Sequence, residues 1–545
     1  LYNMAKHLPH SLLIFAIITS IYLLTMPIIV QHSGDAVSEV ERAKKGIQSL
    51  RPNHLILTPT YHLYLLFLRK IGVGGQEFIQ LQVLNVMAGA LCCSLFFIFL
   101  VNHGCTLIIS LFGSFVTAFS FAPWLHSREV ESSILSQLFM ILSAFFLSFL
   151  KEDFKRSTSY ILALLASVSI ALAILYSMNY VLLFPAFCLL LFLYAPKGYR
   201  LKLLILFSFI SFLITFITYL LALQVTVGKL DLKSLISWVT YHPSGEHLSE
   251  SKDITLTNLL RSFSGIINYF IGYTPIPTNL KLLLREEKTF AIPIISWIKF
   301  IFGLFFTAYL FFHSIWIRLK KEVFGMILLL TSFIPVLFFN TFWLGSDPQF
   351  WIPAIPFAIL QACIIMSNRM DLSFYKKLVK PSLILIPLLL FIINCTYPVP
   401  ITLMPEGSKN WKMAKNFSQI LQKKDLVIYL RGWPSYLKYT NKIDLTDHHS
   451  LKGKKKEDYL DTLCNEIDAA LNEGAQVYAI EIFALDDPSG IFYTIGGWDE
   501  VQNLSGLKRH EIINRLNNRY RNSIFNKELF GKNIWKITPK SGGTR

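Results

Sequence analysis

Charge is scarce in this chain. Only 16% of its 545 residues are charged and 53% are hydrophobic, whereas a water-soluble protein carries about 25% charged residues. Such a composition points to a chain that crosses a membrane several times. Metal-ligand and disulfide patterns are missing too. There are seven cysteines, but no Cys-x-x-Cys pair and no Cys/His spacing suited to a metal. Cys92, Cys93, Cys105, Cys188, Cys363 and Cys395 lie in or beside apolar runs, where a thiol behaves as a small hydrophobe. Only Cys464 falls in a soluble stretch. Internal repeats and low-complexity segments are absent. The first apolar run, 12–30, has no small-residue cleavage pattern and is long enough to span, so it reads as a retained helix. The net charge of +17 would suit nucleic acid, but the basic residues are scattered among short loops, which argues against that partner.

What is present is apolar and aromatic. Forty-five Phe and 23 Tyr suit lipid-facing surfaces and interfacial belts. Runs of spanning length fall near 11–30, 78–101, 105–125, 132–150, 158–177, 179–195, 202–223, 292–316, 323–344, 350–367 and 381–399, about eleven helices. The runs 158–177 and 179–195 are separated only around Met178 and must form a tight hairpin. Alternation from a cytoplasmic start puts the four most basic short loops, 151–156, 197–202, 318–321 and 369–380, on one side, as the positive-inside rule requires. The opposite, extracytoplasmic face then collects the loop 31–77, the turn 126–129, the loop 224–291, the turn 345–348 and everything after Pro400.

Beyond residue 405 the apolar runs shorten and charge returns. Helices are expected at 409–423, 457–472 and 508–518, and strands at 426–430, 477–483 and 533–537. This alternation predicts a small α/β domain. The fold class is thus a polytopic α-helical membrane protein, residues 1–400, with an extracytoplasmic α/β domain, 401–545. That domain has no nucleotide-binding loop and is expected to pack over the first and third outer loops, for acceptor binding or gating.

The outer loops hold the candidate chemistry. Asp35 is the first carboxylate after the first span, and an ionisable group so near hydrocarbon is costly. From there Ala36, Val40, Ala43 and Ile47 recur at helical spacing amid Glu39, Glu41, Arg42, Lys44 and Lys45, which reads as an interfacial amphipathic helix. Asp35 stands where its N-cap would be, and it is also a usable base. Pro52-Asn53-His54 through Tyr61-His62 return toward the membrane; the two histidines have no metal spacing. Before the fourth span, a helical projection from Glu129 meets Ser132, Ser133 and Ser136, while one from Glu131 meets Ile134, Leu135 and Leu138. Glu129 is therefore expected to face a polar cavity and Glu131 to turn away. Arg128 either pairs with a glutamate or holds a phosphate. Asp347 begins an Asp-Pro turn. Trp238, Tyr241, His242, Glu246, His247 and Arg261 in the third loop either line a sugar site or form an ordinary interface. Asp486-Asp487, followed by Pro-Ser-Gly, reads as a solvated turn.

Several of these motifs, in this order and on one face, resemble the GT-C superfamily of integral-membrane glycosyltransferases. They are Ser33-Gly34-Asp35, then Pro52-Asn53-His54 with Tyr61-His62-Leu63-Tyr64. Next comes Phe119-Ser120-Phe121-Ala122-Pro123-Trp124 leading into Arg128-Glu129-Val130-Glu131, and last Asp347-Pro348-Gln349-Phe350-Trp351-Ile352-Pro353. The likeness is greatest to the bacterial protein O-mannosyltransferase-like branch, and it extends to the aminoarabinose transferases. Where that branch has His-Pro-Pro-Gly this chain has Asn53-His54-Leu55-Ile56, and where it has Tyr after Glu-Val this chain has Glu131.

The resemblance implies sugar transfer from a polyprenyl-phosphate carrier to a hydroxyl of a protein or glycolipid acceptor. Asp35 would be the general base of one inverting displacement and Glu129 would position its partner or the acceptor. His54, Tyr61, His62, Arg128, Arg261 and Asp347 would contact substrate. Positive charge for the leaving phosphate would come from Arg128, Arg261, a first-loop lysine or a divalent cation, the one cofactor implied. The rival readings are a transporter and a catalytically degenerate scaffold. A transporter should show repeated halves and mid-membrane charges, and neither is found.

Overall fold

The computed structural model describes residues 2–26, 34–46, 50–150, 156–228, 230–240, 256–272, 294–315, 323–342, 347–370, 373–396, 416–429, 441–444, 456–480, 509–525 and 534–540. The chain divides into two compact units. The larger holds Leu1–Ile28, Glu39–Thr240 and Ser251–Leu403; the smaller holds Ile29–Ser38, Tyr241–Glu250 and Met404–Arg545.

In chain order the helices are α1 (Tyr2–Leu24), α2 (Gly34–Lys45), α3 (Leu57–Lys70), α4 (Glu77–Asn102), α5 (Leu107–Phe119), α6 (Phe121–Arg128), α7 (Ser133–Ser148), α8 (Arg156–Tyr176), α9 (Phe184–Tyr194) and α10 (Arg200–Val227). They continue with α11 (Leu232–Thr240), α12 (Leu256–Ile271), α13 (Ile294–Ile315), α14 (Val323–Phe342), α15 (Ile355–Arg369) and α16 (Ser373–Thr396). Single 3-10 turns, Pro52–His54, Met178–Leu183 and Pro348–Trp351, lead into α3, α9 and α15. Each of the eleven apolar runs falls on one of these helices, with its leading 3-10 turn where it has one, except 105–125, which falls on the two helices α5 and α6. Among the described residues five helices are long and apolar enough to cross a membrane, six if the bent pair α5–α6 is one span, and five more apolar helices are shorter.

The bend between α5 and α6 is 59°, where the sequence suggested one straight span. Pro123 is its cause. In a continuous helix the proline ring would strike the carbonyl four residues back, that of Phe119. Ser120 instead takes an extended conformation (φ −65°, ψ 141°), which moves Pro123 into the first turn of a new helix, where no N–H is needed. The freed Phe119 carbonyl accepts from Asn394 Nδ2 of α16 at 2.7 Å, and the same amide group donates to Phe270 of α12 at 2.8 Å.

The expected first-loop helix is present as α2, with Ala36, Val40 and Ala43 buried; Ile47 lies outside the described residues. Its apolar stripe is covered by protein, and Glu39, three residues after Ala36, is carried into the interior with it (3% exposed). The helix that shows an apolar face is α3, through exposed Leu63, Leu66 and Phe67.

In the smaller unit, strands β1 (Leu426–Tyr429), β2 (Asn441–Asp444), β3 (Val477–Ile480), β4 (Tyr520–Ile524) and β5 (Ile534–Pro539) form one sheet in the order β2-β1-β3-β5-β4. β1 runs parallel to β2 and β3, and β5 antiparallel to β3 and β4. Helices α17 (Lys456–Asn472) and α18 (Arg509–Arg519) cover one face, where Leu463, Ile467, Ile512 and Leu516 meet Ile428, Val477 and Ile537. Phe417 packs on the other face with Val427 and Tyr478. Of the expected helix 409–423 only the end is described. The expected cover over the outer loops falls on segments outside the described residues.

Asn394→Leu removes the donor for two buried carbonyls, each costing about 1–3 kcal/mol when left unpaired. The variant should melt several degrees below the parent in detergent, as read by intrinsic fluorescence. An unchanged melting temperature would deny the amide this role.

Candidate active site

Four residues, Glu129 to Ser132, connect α6 to α7. Glu129 is extended (φ −110°, ψ 163°) and Glu131 precedes the helix, so neither belongs to α7. The helical projection that turned Glu131 away from the face of Glu129 therefore does not hold. The connection is held from three sides. From α4, Gln82 Nε2 donates to the Arg128 carbonyl at 2.7 Å, and Asn85 Nδ2 to the carbonyls of Glu129 (2.5 Å) and Glu131 (2.9 Å). From α3, the Tyr61 hydroxyl donates to the Glu131 carbonyl at 3.1 Å. Ahead of α3, His54 Nδ1 lies 2.8 Å from Ser132 Oγ and 3.0 Å from the Tyr176 carbonyl.

Glu129 is 6% exposed, and its Oε1 has no hydrogen-bond partner among the described residues. Burial pushes the carboxyl up to about 7; Arg128 draws it down and Asp347 adds to the rise. Its place just past the C-terminal end of α6, where the helix dipole is negative, works in the same direction as burial. Asp347, the candidate from the late turn, is thus within electrostatic reach of Glu129. It also caps its own 3-10 turn, Oδ1 accepting from Gln349 N at 3.0 Å. Glu131 is half-buried, and its Oε2 accepts from Ser132 N at 3.2 Å.

The other candidates serve different ends. Arg128 is 1% exposed; its guanidinium donates to the carbonyls of Trp124 (3.1 Å) and Thr25 and lies 5.9 Å from the Trp124 ring centre. Tyr61 is fully buried. His62 faces away from the connection, its Nδ1 2.7 Å from the Ala43 carbonyl, and so ties α3 to α2. Arg261 is exposed on α12, and Trp238 packs with Leu50 and Tyr219. Asp35 stands in the first turn of α2, inside the helix and not ahead of it as a cap. The Asp35 side chain lies outside the described residues, as do Tyr241, His242, Glu246, His247, Asp486 and Asp487. Among the described residues, no group of three or more His, Cys, Asp or Glu side chains could hold a metal ion.

Sequence reasoning missed the residues that organise this region. Gln82 and Asn85 were legible as two amides three apart in an apolar run, which is costly unless they bond something. Glu39 reads from the sequence as one of the charges of an interfacial helix, but it is buried. It bridges Arg42 (2.6 Å) and Arg51 (3.5 Å) and accepts from Thr58 Oγ1 at 2.9 Å. Burial pushes its carboxyl up, but Arg42, Arg51, His54 and Thr58 outweigh that and hold it below the ordinary value.

The structure of ArnT from Cupriavidus metallidurans bound to undecaprenyl phosphate is similar, with a TM-score of 0.52 and 11% identity over 86% of this chain and 92% of that one. The fold is that of the GT-C membrane glycosyltransferases. Two structures of the oligosaccharyltransferase of Archaeoglobus fulgidus are also similar, each over most of this chain. The apo form has a TM-score of 0.48 and 11% identity, covering 87% of this chain and 69% of that one. AglB with an inhibitory peptide and a dolichol-phosphate has 0.45 and 10%, covering 98% and 75%. No family model and no curated protein sequence matches the chain. With its apolar helices, the GT-C fold makes this an integral membrane protein.

A carboxyl raised by the fold stabilises it while protonated. The contribution of Glu129 is complete below the ordinary value of 4.5 and is lost as pH rises through about 7. Glu129→Gln stays neutral throughout. It should melt close to the parent near pH 5 and above it near pH 8, the gap widening between the two. A gap that is constant over that window would show that the carboxyl does not titrate there.

Proposed function

We propose that this protein transfers a sugar from a polyprenyl-phosphate-linked donor to an acceptor hydroxyl on the extracytoplasmic side of the membrane. The observation that carries this reading is the GT-C fold itself, matched along most of a structure that holds undecaprenyl phosphate. A buried acidic connection, with Glu129 within electrostatic reach of Asp347, supports it. The acceptor oxygen attacks the anomeric carbon as the bond from that carbon to the lipid phosphate oxygen breaks, with inversion. The acceptor proton passes to Asp35, and the lipid phosphate leaves as an anion that is already stable. Cationic stabilisation then matters more than a general acid. Exposed Arg261 and a divalent cation are the sources to separate, by Arg261→Gln and by chelation. Arg128 is committed to two protein carbonyls and orders the connection.

Asp35→Asn tests the chemistry. It keeps a side chain of the same shape in the first turn of α2, so folding and binding of undecaprenyl phosphate should persist while turnover falls by about 10²–10⁴-fold. A fully active variant, assayed with the true acceptor, ends the role of Asp35. Binding of the lipid phosphate without any transfer by the parent favours the scaffold reading instead.

We also infer about eleven spans with a cytoplasmic N-terminus, which places residues 405–545 outside. The four basic loops on one side support this arrangement. Single cysteines introduced into the tail should react with impermeant maleimide from the outer side of intact cells. Labelling from the cytoplasmic side alone would overturn the orientation.

A further inference from the structure

Gln82, Asn85 and Gly89 recur at i, i+3 and i+7 on α4 and so share one face of that helix. All three meet the segment from α6 to α7. The two amides reach three carbonyls of that segment, those of Arg128, Glu129 and Glu131. One turn below, a Cβ at Gly89 would lie 2.1 Å from Ser127 Oγ, 2.7 Å from Ser127 Cβ and 3.2 Å from Tyr22 Cε2. The absence of a side chain at 89 therefore sets how closely α4 approaches α6, and that approach brings the amides within reach.

We propose that Asn85 is a positioning residue for Glu129, with Gln82 as its helper and Gly89 as the contact that sets their distance. The physical case begins with the backbone. The last carbonyls of a helix have no partners within it, and the extended Glu129 that follows adds another. In an apolar bundle such groups must be paired by neighbours or the connection takes another path. Asn85 binds the carbonyl of Glu129 and that of Glu131, straddling Val130, so it fixes the backbone on both sides of the turn. The direction in which the Glu129 carboxyl leaves the chain is set by that backbone. Arg128 reinforces it from below by bonding Thr25 at the end of α1. The Tyr61 hydroxyl lies 3.1 Å from both the Glu131 carbonyl and Asn85 Oδ1 and has one proton to share between them. The amide is thus itself held in place.

As a catalytic device this rests on the glycosyl-transfer reading, but its first test does not. In the full-length protein in nanodiscs, the melting temperatures of Asn85→Leu, Glu129→Gln and the double variant are compared near pH 5 and near pH 8. A positioning role predicts non-additivity: the stabilisation given by Glu129→Gln at the higher pH should be altered in the Asn85→Leu background. Additive effects at both pH values would overturn the proposal, leaving Asn85 a packing residue. A second arm uses Gly89→Ala, which should reproduce the Asn85→Leu behaviour; adding Ser127→Gly, which removes both clashing atoms, should restore the parent. No restoration would remove Gly89 from the device. The third arm reads transfer. Asn85→Leu should lower kcat by up to about 100-fold, as a displaced group does, with KM for the lipid donor within about 3-fold. An unchanged kcat with raised KM would refute positioning of a reacting group. If the parent shows no transfer, the first two arms still decide the structural claim while the enzymatic reading falls separately.

Discussion

A helix that breaks inside an apolar bundle leaves carbonyls that no water can satisfy, and the larger unit is arranged around meeting that demand. The break at Ser120 frees Phe119, and Asn394 answers it from α16. The break after Arg128 frees three carbonyls, and Gln82 and Asn85 answer them from α4. Each answering side chain is an amide with two donors; Asn394 serves two separate segments, and Asn85 two carbonyls of one connection. This is why helices distant in sequence converge on one short helix, α6. An apolar substitution at any of these positions would cost more than a hydrogen bond, because the abandoned partner stays buried.

The same arrangement explains the electrostatics. A carboxyl at the negative end of α6, 6% exposed and within reach of a second carboxylate, is in a place that opposes ionisation. Arg128 is adjacent yet directed at carbonyls, so it moderates the rise without cancelling it. Glu39 is the contrasting case in the same unit. It is as deeply buried, but two arginines and a threonine hydroxyl surround it, and it is held ionised. One buried acid is therefore a strut between the first-loop helix and Arg51, and the other is left with capacity to spare.

Period and polarity explain what could be read in advance. The stripe Ala36, Val40, Ala43 announced α2, but the same wheel places Glu39 on that stripe, and charge alone suggested solvent. Pro123 in an apolar run was the available sign of the bend, yet apolarity on both sides concealed it. At Glu129 no glycine or proline marks the end of α6, so a helical projection runs straight through the point where the chain turns extended. In the sheet, β1 and β3 are buried at every position and read plainly as apolar runs. The unexpected strands, β2 (Asn-Lys-Ile-Asp) and β4 (Tyr-Arg-Asn-Ser-Ile), are the two edges of the sheet. Edge strands are polar because they must not pair further, and polarity hides them from a search for hydrophobic runs.

A chemical consequence follows from the order of these constraints. The backbone of the connection is fixed by α4 and α3, and the neighbouring Arg128 by Thr25 and Trp124, while Glu129 Oε1 is buried with no hydrogen-bond partner among the described residues. Burying a carboxyl oxygen unpaired is destabilising, and the surrounding donors pass it by to bind carbonyls instead. A fold that spends Gln82, Asn85, Tyr61 and Arg128 on the backbone of one turn keeps the turn rigid whatever the charge on its carboxyl. Rigidity of that kind is what a reacting or substrate-orienting group needs, since its geometry must not relax when a proton arrives or leaves. A purely structural acid would be better served by the treatment given to Glu39.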